Sequence, residues 1–221
     1  MSYELVMTRV AAAAERSGRT PEDVTLVAVS KTMTPQQIMA VYELGHRDFG
    51  ENRSQELILK VPVLPGDIRW HFVGTLQSNK ARSIRGVTHL LHSMDRRSLG
   101  SAWMKGLGPP PPVLAQVNIG EEPQKSGVAP SKLAESIAWM TALGLDVRGL
   151  MTIPPVPVRP EDSRAHFRNL RLLRDEIAAD YPGVNDLSMG MTDDFEVAIE
   201  EGASIIRVGR AIFGPRKSTG A

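Results

Sequence analysis

Val24-Thr25-Leu26-Val27-Ala28-Val29-Ser30, followed at once by Lys31, is apolar on both of its alternating faces. A strand that hides both faces belongs to a parallel sheet covered by helices, because a sheet wetted on one side alternates polar and apolar residues. Just downstream, Thr34-Pro35 reads as an N-cap with proline at N1, opening a helix that runs to Gly45. The same strand-then-helix alternation continues along the chain. Further strands are expected at 47–50, 69–73, 88–92, 113–118, 147–151, 186–189 and 204–208. Between them, Leu133, Ile137 and Met140 share one helical face ahead of Gly144. Leu170, Leu173 and Ile177 share another, with Glu161 and Asp162 in its first turn. Asp193 and Glu196 have the spacing of a capping box before Ala198 and Ile199. Upstream, Val6, Val10 and Ala13 line one face of an additional N-terminal helix stopped by Gly18.

Eight βα units in 221 residues predict an α/β protein of one domain spanning 1–221, a (β/α)8 TIM barrel with an extra N-terminal helix. No G-x-G-x-x-G follows any strand, which disfavours a dinucleotide fold. The proline run Pro109–Pro112 is a stiff loop, too short for a domain linker, and the small polar tail after Phe213 is expected to fray.

Composition excludes whole classes of function. With 26 basic and 25 acidic residues the net charge is +1, so there is no electrostatic reason to expect a nucleic-acid or membrane partner. The arginines at 164, 168, 171 and 174 recur along one helix and are read as a solvated face. There is no cysteine, hence no disulfide, thiolate nucleophile or cysteine-held metal, in keeping with a cytoplasmic location. No signal-peptide h-region and no apolar run of about 18 residues occurs. Without an apolar stripe left over, a monomer is expected.

A barrel of this kind builds its site from the residues that follow each strand. Those residues include Lys31, then Asn52, then Thr152, then Ser188-Met-Gly-Met-Thr192, then Arg207-Val-Gly-Arg210. The last two loops supply hydroxyls and glycines where barrels of this type hold phosphate, which suggests a phosphate-bearing ligand. Lys31 shares a strand face with Val27 and Val29, and partial desolvation favours the neutral amine that forms imines. Together these suggest a phosphorylated aldehyde or ketone, either pyridoxal phosphate or a sugar phosphate. Arg207 alternates with Ile205 and so points into the barrel mouth, where its guanidinium needs either a carboxylate or another acceptor such as a pyridine nitrogen. Of the histidines, His71 is read as a core residue and His46 and His166 as surface residues. His89 and His92 are read as pointing to opposite faces, so no metal site is expected.

The motifs LVAVSKT (26–32), FGENRSQE (49–56), WHFVGTLQSNK (70–80), VNIGEEPQKSG (117–127), GLMTIPP (149–155), LSMGMTDDFEVAIEEG (187–202) and IRVGRAIFG (206–214) together resemble the pyridoxal phosphate homeostasis proteins of the YggS/PROSC type. The resemblance spans nearly the whole chain in the family's order. It implies the barrel of the alanine racemase N-terminal domain and covalently bound pyridoxal 5'-phosphate (PLP), with Lys31 as the Schiff-base lysine. It also implies Asn52 near the ring, Arg207 at the pyridine nitrogen, and Ser188, Gly190, Thr192, Gly209 and Arg210 around the phosphate. Thr192 stands where the family usually has serine, and Arg210 where many members have threonine or serine.

That resemblance implies a carrier or buffer of PLP with PLP-dependent apoenzymes as recipients and no catalytic residue. The competing reading is an amino-acid racemase, which requires a second base on the opposite face of the cofactor. The only tyrosines are Tyr3, Tyr42 and Tyr181, none at an expected strand end. A Schiff-base aldolase would need a carboxylate and a lysine at adjacent strand ends, which the sequence does not offer.

Overall fold

The computed structural model describes residues 2–215; the tail expected to fray lies largely outside them. The chain opens with α1 (Tyr3–Arg16), then β1 (Thr25–Val29), α2 (Pro35–Tyr42), β2 (Asp48–Glu51), α3 (Ser54–Lys60) and β3 (Arg69–Phe72). It continues through α4 (Ala81–Ile84), β4 (Leu90–Met94), α5 (Arg97–Met104), β5 (Val113–Gln116), α6 (Leu133–Ala142) and β6 (Val147–Met151). The last elements are α7 (Arg164–Asp180), β7 (Asp186–Ser188), α8 (Phe195–Glu200), β8 (Ile205–Val208) and α9 (Arg210–Phe213). All eight strands pair in parallel, and β8 closes on β1, so the sheet has no edge.

Strand alternation divides the interior in two. Residues pointing outward from the sheet, among them Phe49, Phe72, Leu91, Leu150 and Ile206, join the helices in one large apolar core. Residues pointing inward form a small second cluster of Val27, Leu90, Leu114, Met151 and Ile205. The rest of the lumen is polar: Asp48, His71, His92, Ser188 and Arg207 are all buried there. This double use of each strand is why Val24–Ser30 reads as apolar on both faces.

Local signals produce the expected elements. Thr34 Oγ1 accepts from the Gln37 N–H while Gln37 Oε1 accepts from the Thr34 N–H, a full capping box with Pro35 behind it. Val6, Val10, Ala13 and Ala14 of α1 are buried, and Arg9 and Arg16 pair with Glu196 and Glu200 of α8.

Several expectations are corrected. The helix from Thr34 ends at Tyr42, and the stretch 88–92 shifts to Leu90–Met94, with an irregular register against β5. The Asp193–Glu196 capping box does not form: Asp194 is the N-cap, Asp193 pairs with Arg210, and Glu196 is taken by Arg9. His46 is buried, with Nε2 donating to the Asp48 carbonyl at 2.8 Å. The arginines of α7 do lie on the outside, but the face is more than solvated: Arg164, Arg168 and Arg171 all reach Glu201, which is 5% exposed.

Candidate functional site

A cavity of about 680 Å³ opens at the C-terminal ends of the strands. Its walls bring together Lys31, Asn52, Thr192, Arg207, Gly209 and Arg210, residues separated by most of the chain's length. The fold positions each of them by a different device.

Lys31 lies two residues past the end of β1, after Ser30, and the next residue, Thr32, has φ +66°. A β-branched residue in the left-handed region is strained and persists only where neighbours over-determine it. Here the Glu56 carboxylate of α3 accepts the Thr32 N–H at 2.7 Å. The Ser30 carbonyl is fixed by Lys60, whose Nζ donates to it at 2.8 Å and to Glu51 at 2.7 Å. Burial pushes the Glu51 carboxyl up, against the opposing bonds from Lys60 and Ser30. The turn that aims Lys31 is therefore held from behind by a buried ion pair.

Asn52 is held by close approach. A Cβ on Gly74 would lie 2.3 Å from the Asn52 carbonyl oxygen, so only glycine lets the β3 loop lie against that backbone. The Asn52 Oδ1 atom is buried and has no hydrogen-bond donor among the described residues. A buried acceptor left in this state costs roughly 1–3 kcal/mol, which a ligand donor or water would recover.

Arg207, on β8, is 4% exposed. It donates to Ser188 Oγ at 2.5 Å and to the Thr152 carbonyl at 2.8 Å, both uncharged acceptors. Burial lowers its pKa to about 10, with the Asp194 carboxylate opposing that shift through space. At neutral pH it is still a cation, placed in the cavity wall with no ion pair among the described residues.

The two carboxylates in the wall are committed elsewhere. Asp194 accepts from Ser163 Oγ at 2.7 Å and from the Met191 N–H at 2.8 Å, and Asp193 pairs with Arg210. The Arg210 side chain, doubtful from sequence as an anion ligand, is thus held by a carboxylate. Ser188 and Gly190 stand behind the wall: Ser188 is fully buried between Arg207 and His92. Gly190 has φ +90°, and a Cβ there would lie 2.5 Å from that of Ala198, so it seats the loop on α8.

Some wall residues were missed from sequence. Gln116, one strand period beyond Leu114, faces the cavity, whereas Asn118 instead closes its own loop onto Glu122. Alternation along β5 could have found Gln116. Ile153, Val156 and Pro157 come from the loop after β6, where no periodic signal exists. Thr152 contributes through its carbonyl, which sequence does not advertise.

The arrangement suits an anionic, planar, carbonyl-bearing ligand: an amine-bearing side chain, a buried acceptor, a buried cation and a mouth lined by the Thr192 hydroxyl and the backbone at Gly209. A Cβ on Gly209 would come within 3.0 Å of the Val29 carbonyl, so β8's end passes close to β1's. None of the tyrosines or histidines is part of the wall, and no cluster of three metal-ligating side chains occurs among the described residues. No helix among them is long and apolar enough to cross a membrane.

No protein-family model matches the chain. Whole-chain relatives do. The chain is 44% identical over 218 residues to the pyridoxal phosphate homeostasis protein of Aquifex aeolicus, covering 96% of each. It is 38% identical to the protein of that name from Escherichia coli K12, covering 96% of this chain and 94% of the relative. Among solved structures, PipY of Synechococcus elongatus without PLP superposes with TM-score 0.82 at 36% identity, covering 94% of this chain and 99% of PipY. PipY with PLP bound gives TM-score 0.79 at 35% identity, covering 93% and 100%. Alanine racemase of Corynebacterium glutamicum, at 13% identity, TM-score 0.68 and coverage of 99% of this chain and 62% of the racemase, shares the fold alone.

Proposed function

The chain belongs to the pyridoxal phosphate homeostasis proteins, and from that premise we propose that it holds PLP as a Schiff base on Lys31 and stores, delivers or buffers it within the cell. The observation that carries this reading is the convergence in one cavity of Lys31 with a buried arginine whose hydrogen bonds go only to uncharged acceptors. When bound, PLP supplies an aldehyde that condenses with an amine and a ring that can draw electrons from the adduct.

The chain's own residues divide the work. Lys31 offers the amine from a turn fixed by Glu56 and Lys60. The orphaned Asn52 Oδ1 lies beside the ring position. Thr192 and the backbone at Gly209 and Arg210 receive the phosphate, with Ser188 and Gly190 supporting that wall from behind. Arg207 would offer an N–H to the pyridine nitrogen and, remaining protonated itself, would keep that nitrogen unprotonated. Such an arginine would make the ring a weaker electron sink, which favours carriage over turnover.

The racemase alternative needs a second base across the cofactor. Tyr3 is tied to His46 and Tyr42 to Asp67, and the wall carboxylates are both paired or capped. We therefore read a single-domain, monomeric, cytoplasmic PLP carrier whose recipients are PLP-dependent apoenzymes. Titration of the protein with PLP, followed by absorbance, tests this reading. An imine band that borohydride bleaches, with the added mass on the Lys31 peptide, is expected. A protein that stays colourless with excess PLP contradicts it.

A further inference from the structure

The polar half of the barrel lumen forms a continuous row of side chains beneath the cavity. At the N-terminal rim, Arg69 grips Asp48 with two bonds of 2.5 and 2.7 Å. Asp48 Oδ1 meets His71 Nε2 at 3.1 Å, and His71 Nδ1 meets His92 Nε2 at 3.0 Å. His92 Nδ1 meets Ser188 Oγ at 2.8 Å, and Ser188 Oγ accepts from Arg207. Five strands supply the row: β3 gives Arg69 and His71, and β2, β4, β7 and β8 give one residue each.

The chemistry of the two ends, with one proton on each ring, fixes every proton between them. Asp48 is held below the usual carboxylate range: burial alone would raise it, but the bonds from His71 and Arg69 outweigh that. As a carboxylate it can only accept, so His71 donates from Nε2. With a single proton on each ring, His71 accepts at Nδ1, so His92 donates from Nε2 and accepts at Nδ1. His92 is fully buried, and burial, reinforced by the Arg207 charge, keeps it well below the usual histidine range and so neutral. Ser188 must therefore donate to His92, which leaves its oxygen lone pairs facing Arg207. The other charged or titratable groups around the rings are His46, His89 and Arg69. Burial lowers both His46 and His89 and so keeps them uncharged.

We propose that Asp48, His71, His92 and Ser188 are positioning residues, a one-way hydrogen-bond relay that orients Ser188 to receive Arg207 and thereby sets the guanidinium against the cofactor ring. This rests on the cofactor reading for its purpose, although the relay itself is a property of the chain alone. Each donor points toward Asp48, so the chain of bonds is mutually polarised and has a single satisfied arrangement. An asparagine in place of Asp48 can donate as well as accept, and it would let the whole row reverse. Ser188 would then face two donors, and its own proton would be left without the His92 acceptor.

Nitrogen-15 NMR of ring-labelled histidine in the full-length chain tests the relay, both without PLP and after loading with it. In the unsubstituted protein both His71 and His92 are expected as Nε2–H tautomers with bare Nδ1. Asp48→Asn is expected to bring Nδ1–H signal into both rings. Ser188→Ala keeps the test open should Asp48→Asn fail to fold. It is expected to change the His92 signal, leave His71 bonded to Asp48, weaken PLP binding about tenfold and shift the cofactor's absorbance. An Nδ1–H or doubly protonated ring at neutral pH in the unsubstituted protein would overturn the proposal. So would the two variants leaving ring signals and cofactor spectrum unchanged. The expected ring signals in a protein that forms no PLP adduct would uphold the relay and fail the cofactor reading instead.

Discussion

Two groups of arginines in this molecule meet opposite fates. On the outside, Arg164 is shared by Glu161, Glu200 and Glu201, and Arg168 and Arg171 add to the same Glu201. In the lumen, Arg207 is far more buried yet bonds only to a hydroxyl and a carbonyl. The lysine Lys60 belongs with the first group, since Glu51 and Glu56 both take it. Carboxylates hold these cations, whereas the buried cation in the cavity wall has uncharged anchors, as does Arg85, which three backbone carbonyls hold away from the cavity. What separates Arg207 from Arg85 is its place in the cavity wall, where a ligand can reach it as a further acceptor.

The contrast breaks most sharply at the lysines. Lys31→Ala is expected to abolish the borohydride-reducible adduct completely with little change in thermal stability, measured by intact mass and melting. Lys60→Ala is expected to do the reverse, costing ~3 kcal/mol because it strands the buried Glu51, while still labelling Lys31. The arginines give the next largest difference. Arg207→Met is expected to weaken PLP binding by about 10- to 100-fold while leaving the cofactor-free protein as stable or more so. Arg164→Met is expected to cost about 1 kcal/mol in denaturant unfolding with PLP affinity unchanged.

The smallest effect is in pH. Burial holds His92, His46 and His89 below the ordinary histidine value. The unfolded chain therefore binds more protons than the folded one as pH falls through about 6.5, and stability declines there. The depressed Asp48 carboxyl adds a second loss: its contribution is full above about pH 4 and disappears as pH falls further. Unfolding midpoints across a pH series are expected to fall in both windows. His92→Gln is expected to flatten only the upper one, and an unchanged slope there would count against a neutral buried His92.

The fold was legible because its signals are local. The doubly apolar Val24–Ser30, the Thr34–Pro35 cap and the repeated helical faces each act within a few residues of chain. Lys31, Asn52, Thr192, Arg207, Gly209 and Arg210 were legible as cavity residues for the same reason: strand ends can be counted. The relay was not, since His71 and His92 touch only because β3 and β4 pair, and the sequence alone suggested histidines facing apart. In fact His89 precedes β4 and both it and His92 approach His71, with ring centroids 5.4 and 5.2 Å away. Glu201's capture of three arginines and the burial of His46 depend likewise on packing between distant elements. Patterning reports which face of an element is apolar, but not which polar groups meet inside.

The central claim is that Arg207 reserves its charge for the cofactor's ring nitrogen, and PLP labelled with nitrogen-15 in the pyridine ring tests it most directly. The account predicts that the bound cofactor shows the NMR shift of an unprotonated, hydrogen-bonded pyridine nitrogen, and that Arg207→Met alters it. A pyridinium shift in the unsubstituted protein, or a signal indifferent to Arg207, would contradict it.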